Sequence, residues 1–321
     1  MASKAVLRLP KPLEILWTIL FCLCGSIPAI AFSLMAALIT IPLFSWWNMR
    51  LTVKLNCILA DWTWWILGGK GIEQWGRSTY HFSGDQIPMR ENAFAVMNHL
   101  TFLDWAFLFS VAGRRGRLGV LKFFAKKSIT WIPGFGWGLY LLDSLLVSRS
   151  WLKDQNLINN TFAKLKMRKL PFWVVSFLEG TRRTATKLAE SQAFAKQRDL
   201  PHLRHLLVPR TKGFVATLTG LRSELDAVYD ITYAYEGNKT PGLVDLAMRR
   251  VPDLHFHIRR FPIADLPTDP EQLSDWCMRL FVEKDALLEH FHTHGAFPNP
   301  RPDGEWSIPY VHERMNIMSV K

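Results

Sequence analysis

Residues 94–105 read FAVMNHLTFLDW, and the reading of the fold turns on them. Phe94–Met97 is a short apolar run with the length of a buried strand. Asn98 and His99 follow it directly, and Asp104 falls about one turn into the next element. A strand that runs into a helix leaves the side chains of the junction at an open sheet edge, where α/β proteins bind ligands. There Asp104 is expected to accept a hydrogen bond from one imidazole nitrogen of His99 and to fix its tautomer. The other nitrogen is then a general base. A chain with 10 histidines meets this spacing easily by chance, so the pair alone is better explained as a hydrogen-bonded structural histidine.

What the chain lacks sharpens the reading. No G-x-S-x-G elbow occurs in it, and no cysteine stands beside His99. A base without a nucleophile of its own activates a hydroxyl that belongs to the substrate, which points to direct group transfer without a covalent enzyme intermediate.

Further strand-like runs lie at Trp173–Leu178, Leu206–Val208 and Val228–Tyr233, and LHFHI at Leu254–Ile258 alternates as a half-buried strand does. Between them, Trp151–Lys169 carries Ile158, Phe162 and Leu165 at helical spacing, and Glu271–Phe291 reads as a second amphipathic helix. This is the texture of an α/β domain. The apolar content of 49% against 21% charged residues supplies a sizeable core and argues against disorder.

A second candidate site follows Trp173–Leu178. In Glu179-Gly180-Thr181-Arg182 a glycine turn exposes backbone N–H groups, a hydroxyl and guanidinium donors, which together make a phosphate cradle. Glu179 is expected to orient Arg182 or to hold the loop. The bland alternative is an ordinary turn with solvated arginines.

The N-terminal region has a different character. Ile15 to Met49 carry no charge, enough for one tilted membrane span but short of two. Gly25, Ser26 and Pro28 suggest a break into two shorter helices, a re-entrant or interfacial hairpin. Basic residues flank the run on both sides, and a hairpin with both ends cytosolic satisfies them best. The 14 tryptophans suit a membrane interface, and the net charge of +12 suits an anionic lipid or headgroup. Nucleic acid would also suit it, but the basic residues are dispersed and form no recognition motif. Cys22, Cys24, Cys57 and Cys277 show neither metal-ligand nor disulfide spacing, so no metal is expected.

Taken together, Asn98-His99 with Asp104 and Phe177-Leu178-Glu179-Gly180-Thr181-Arg182 resemble the glycerolipid acyltransferase family, most closely its eukaryotic 1-acylglycerol-3-phosphate (lysophosphatidate) acyltransferases. Lys126-Lys127-Ser128 through Trp131–Trp137 to Arg149, Val208–Phe214, Val228–Thr232 and Phe281–Leu288 are similar to further blocks of that family, in order, from about residue 90 to 290. Leu178 stands where much of the wider family has proline, as it does in the eukaryotic branch.

The resemblance implies a mixed α/β sheet flanked by helices. It divides the chain into an anchor over 1–50 (membrane helix or helical hairpin), a catalytic domain over 51–265 and a C-terminal helical extension over 266–321. It implies transfer of a fatty acyl chain from acyl-CoA to the sn-2 hydroxyl of 1-acylglycerol-3-phosphate, giving phosphatidate. His99 is then the base and Asp104 its orienting group. Glu179, Gly180, Thr181 and Arg182 bind the glycerol phosphate, with Lys126 and Arg149 at the headgroup, and Pro209 and Lys212 belong to a block that binds donor or acceptor. No metal or prosthetic group is implied, and acyl-CoA acts as co-substrate. The implied location is a membrane, the endoplasmic reticulum, with the site facing the cytosol. Two alternatives remain open: another lysophospholipid acceptor, such as lysophosphatidylinositol or lysocardiolipin, and a catalytically silent lipid-binding relative.

Overall fold

Strand β2 (Ala93–Met97) is buried at every position and takes the centre of a seven-stranded sheet. A strand covered on both faces needs apolar residues on both, which is why its run does not alternate. Ala93, Ala95 and Met97 point to one core, and Phe94 and Val96 to the other. The computed structural model describes residues 9–148, 150–237 and 240–300.

On one side β2 pairs in parallel with β5 (Trp173–Ser176), followed by β3 (Leu121–Lys126) and edge strand β4 (Leu145–Val147). On the other side it pairs in parallel with β6 (Ala227–Tyr235). Next comes β7 (Leu254–Pro262), antiparallel to β6, and β1 (Tyr80–Gly84) closes that edge. The sheet is therefore mixed, as expected. The expected strand at Leu206–Val208 is a loop instead. Its donors bond to side chains rather than to a ladder: Leu207 N–H to Glu179, and Val208 N–H to Ser191 Oγ. A buried backbone satisfied in this way has no need of a neighbouring strand.

Helices cover both faces. One core joins the sheet to α3 (Met49–Trp64) and α4 (Asp104–Gly113) through Trp64, Phe107 and Phe109. The other gathers α6 (Trp151–Arg168), α8 (Thr211–Leu221) and α10 (Pro270–His294) through Phe162, Phe214 and Phe281. Asp269 caps α10 by accepting the N–H groups of Glu271 and Gln272. From α10, Lys284 buries its ammonium against Asp230 of β6 at 2.6 Å and donates to the Ile231 carbonyl, tying this helix to the sheet.

The N-terminal run forms α1 (Lys11–Met35), a π-helical stretch Ala36–Thr40 and α2 (Ile41–Phe44), continuous over 34 residues. The break expected at Gly25, Ser26 and Pro28 does not occur. Pro28 forfeits one hydrogen bond, but Ala29, Phe32 and Ala36 are buried against the domain, and tertiary packing holds the helix through it. The hairpin turn lies later, at residues 45–48. Asn48 accepts the Leu51 N–H at 2.9 Å and starts α3, which returns beside α1.

Along most of its length α1 lies against the domain. Near its start, Glu14 pairs with Arg250, and the Trp17 indole donates to the Ala247 carbonyl at 3.0 Å in α9 (Leu243–Ala247). Farther along, Ser33 donates to the Gly134 carbonyl at 2.9 Å, just before α5 (Phe135–Leu141). Gly134 has φ 75°, and a Cβ there would stand 2.6 Å from the Ile30 nitrogen. Gly134→Ala therefore meets strain and overlap together, a cost of about 2–3 kcal/mol. The expected result is a lower unfolding midpoint and faster tryptic cleavage at Arg50 and Lys54, measured by limited proteolysis. An unchanged digestion pattern would show that α1 does not depend on this contact.

Candidate active site

The site is assembled where β2 ends. Beyond Met97 the ladder to β6 is continued by a side chain: Asn98 donates to the Tyr233 carbonyl at 2.9 Å and accepts the Tyr233 N–H at 2.9 Å. That amide replaces a peptide pair, so the chain can leave the strand without orphaning buried backbone groups. His99 is the first residue free of the sheet.

Asp104 is the first residue of α4, where the helix dipole favours a negative charge. Its carboxylate is buried and receives four donors. Oδ2 accepts from His99 Nδ1 at 2.7 Å and from Leu100 N–H at 2.8 Å. Oδ1 accepts from Thr101 N–H at 2.9 Å and from the Tyr233 hydroxyl. Burial pushes the Asp104 carboxyl up, and the bonds from His99, Tyr233 and Thr101 pull it back. The Tyr233 phenol, buried beside Asp104, is held far above its ordinary value and stays a donor. A carboxylate only accepts, so the proton of this pair sits on His99 Nδ1 and leaves Nε2 as the acceptor. The imidazole stacks on Phe177 with centroids 4.6 Å apart, and its side chain is 21% exposed.

Glu179 holds the same segment from the other side. One carboxylate oxygen accepts the His99 N–H at 2.7 Å and the other the Leu207 N–H at 3.0 Å. Burial raises this carboxyl to about 7, against the pull of those two N–H groups. The carboxylate therefore faces inward and bridges three loops. Of the two expectations for it, this geometry suits holding the loop; both oxygens are spent, and a carboxylate has no donor to offer a phosphate.

A cleft of about 790 Å³ opens in front of His99. It brings together Lys126, Glu179, Gly180, Thr181, Pro209 and Lys212 of the expected set. Asp104 stands behind His99, outside the lining. Arg182 is exposed and also outside it. Arg149 falls outside the described residues.

Two cations of the cleft were not singled out by the sequence. Lys187, in α7 (Ala185–Gln197), donates to Thr181 Oγ1, and Arg210 packs over Gly180. Gly180 has φ 68°, and a Cβ there would come within 2.7 Å of Arg210 Nε, so that position must be glycine for the guanidinium to lie across it. Lys126, Lys187, Arg210 and Lys212 thus face Asp154 and Glu190 in a cleft walled elsewhere by Phe124, Val147, Ile158 and Phe194. Cations beside an apolar wall suit an amphiphilic anion. Among the described residues no cluster of His, Cys, Asp and Glu is placed to hold a metal.

The sequence matches the family described as Acyltransferase over residues 79–233 and that described as Acyltransferase C-terminus over residues 245–319. Similar proteins include one from Arabidopsis thaliana named probable 1-acyl-sn-glycerol-3-phosphate acyltransferase 5. It is 34% identical over 237 residues, which cover 74% of this chain and 63% of the relative. The Homo sapiens 1-acyl-sn-glycerol-3-phosphate acyltransferase gamma is 32% identical over 255 residues, covering 78% of this chain and 68% of the relative. The chain thus spans slightly under two thirds of the plant relative and slightly over two thirds of the human one. The crystal structure of the 1-acyl-sn-glycerophosphate acyltransferase PlsC from Thermotoga maritima shares the fold, with a TM-score of 0.51 at 16% identity over 87% of this chain and 97% of that one. The chain, with its His99–Asp104 junction at the end of β2, belongs to the 1-acyl-sn-glycerol-3-phosphate acyltransferase family of glycerolipid acyltransferases.

Proposed function

We propose that the protein transfers a fatty acyl chain from acyl-CoA to the sn-2 hydroxyl of 1-acylglycerol-3-phosphate, giving phosphatidate. The observation that carries the reading is the Asp104–His99 pair, which turns imidazole Nε2 toward a cleft lined by four cations. His99 Nε2 takes the proton of the acceptor hydroxyl as its oxygen attacks the thioester carbonyl. The C–O bond forms, the tetrahedral intermediate collapses, and the C–S bond breaks. The imidazolium returns its proton to the leaving thiolate. Asp104 keeps the tautomer that this shuttle needs and stabilises the charged ring. Lys126, Lys187, Arg210 and Lys212 receive the anionic groups of the two substrates, with Thr181 and the Gly180 turn between them. Glu179 sets the backbone of His99 and of the loop at Leu207 that leads into α8.

The exposed face of α1 supports a membrane location. Ile15, Leu16, Ile19, Leu23 and Ile27 are each about half exposed or more, on the face turned away from the domain. The opposite face is packed from α9 to α5, so the domain accompanies the helix along most of its course. Such a helix suits embedding along one leaflet better than a free crossing of the bilayer.

Three outcomes are expected. His99→Ala lowers turnover by about 10²–10⁴-fold, the usual contribution of a general base, at an unchanged unfolding midpoint. Near-normal turnover with labelled acyl-CoA and lysophosphatidate would sink the mechanism. Arg210→Ala raises the apparent KM for lysophosphatidate more than Arg182→Ala does, because Arg210 lines the cleft and Arg182 does not. The reverse order in steady-state kinetics would move the phosphate site outward.

The third outcome concerns Glu179. Its carboxyl binds a proton more tightly in the folded state, at about 7, than at its ordinary value of 4.5. Its contribution to stability is therefore complete below 4.5 and is lost as pH rises through about 7. Between those limits the unfolding midpoint of the parent chain should fall relative to that of Glu179→Gln. Parallel curves for the two proteins would show that Glu179 does not titrate there.

A further inference from the structure

A second groove, of about 1110 Å³, lies on the other side of the wall that bounds the active cleft. Neighbouring residues divide between the two. Lys126, Val147 and Ile158 line the cleft, whereas Lys127, Leu146 and Leu157 line the groove. The wall is thus edge strand β4 and the first turns of α6, and the groove has no part in the site described above.

The far wall of the groove is the apolar helix. Ser33, Leu34 and Ala37 face it from the α1 hairpin arm, and Trp137 and Tyr140 from α5. Leu34 is 47% exposed, Tyr140 69% and Leu157 40%, so large apolar side chains stand open along its length. Met35, Leu38 and Ile39 of the same arm are exposed as well. Lys127 and Lys164, both exposed, also line the groove, as do Asn156 and Asn160. Asp143, the acidic residue of the lining, is already paired with Arg168. The groove therefore combines exposed basic side chains with hydrocarbon. Its volume lies at the upper end of ordinary ligand sites, which run to about 1,000 Å³, and suits a long amphiphile better than a small metabolite.

We propose that this groove binds an anionic glycerophospholipid of the surrounding leaflet, with its phosphate at Lys127 and Lys164 and its chains against Leu34, Ala37 and Leu157. The lipid is neither substrate of the reaction; it holds the α1 arm to α5 and α6. The inference rests on the reading of α1 as embedded in a leaflet.

The test uses the full chain in micelles of a mild nonionic detergent, with photoactivatable phosphatidylserine or phosphatidylcholine as probe and the cross-linked peptides mapped by mass spectrometry. Phosphatidylserine is expected to label α5 and α6 near Tyr140 and Leu157, and phosphatidylcholine to label them much less. Reversal of both charges, Lys127→Glu with Lys164→Glu, should lower that labelling by about tenfold or more, since each basic contact to an anionic lipid is worth about 1 kcal/mol. Equal labelling by the two probes, labelling indifferent to the double variant, or labelling abolished by excess acyl-CoA would each overturn the proposal. In parallel the parent chain is sedimented with phosphatidylcholine vesicles. A chain that stays in the supernatant overturns the membrane reading of α1, whereas the micelle experiment decides the groove by itself.

Discussion

The Asp104 carboxylate, with its four hydrogen bonds, is the constraint on which the catalytic region depends. It joins pieces of chain that have little else in common: the loop after β2, the first turn of α4 and the far end of β6, through Tyr233. A buried carboxylate stripped of those donors would cost several kcal/mol, so the loop cannot relax without a large penalty. His99 is held as one member of this closed set. The same bonds that stabilise the loop choose its tautomer, so the loop and the ring are set by one group.

Glu179 repeats the device one strand away, with a difference. It bonds to backbone N–H groups alone, from His99 and Leu207, and burial outweighs them. Asp104 sets the imidazole ring, and Glu179 sets the peptide that carries it. Between them they fix both ends of the His99 side chain. They also couple the β2 loop to the loop that ends at Arg210 and leads into α8, and these supply Arg210 and Lys212 to the cleft. The distance between the proton acceptor and the cationic wall is in this way set by two inward-facing carboxylates.

The sequence made visible what is local. The apolar run Phe94–Met97, the short step to His99 and the turn to Asp104 all lie within one loop, and the periodicities of Trp151–Lys169 and Glu271–Phe291 announced α6 and α10. What it concealed depends on contact at long range. Tyr233 lies 129 residues from Asp104 and carries no motif. Strand β3 hides its character behind Lys122 and Lys126, and β1 and β4 are short edges ordered by their partners. Leu206–Val208 has the composition of a strand but finds its hydrogen-bond acceptors in side chains. Gly25 and Pro28 have the composition of a helix break, yet Ala29 and Phe32 are pinned to the domain and carry the helix through. In each case tertiary partners overrode a local preference.

The hairpin also bears on how a lipid substrate would reach the cleft. A free spanning helix would leave the catalytic domain in water, tethered by a flexible link. Here the helix is part of the domain's own packing: Phe32 meets Trp64 with centroids 6.0 Å apart, and the Gly134 carbonyl accepts the Ser33 hydroxyl at 2.9 Å. The orientation of the cleft relative to the apolar face of α1 is therefore rigid. Only β4 and the start of α6 separate the cleft from the groove that α1 walls. If that face lies in a leaflet, His99 sits within one strand and one helix of the hydrocarbon. A lysophospholipid could then offer its headgroup to Lys126, Lys187, Arg210 and Lys212 while its chain remained in the leaflet. Full extraction of such a chain would cost about 0.8 kcal/mol for every methylene exposed to water. A domain fastened edge-on to a helix embedded in the leaflet would avoid most of that cost, which would give a physical reason for α1 to be packed along its length rather than tethered at one end.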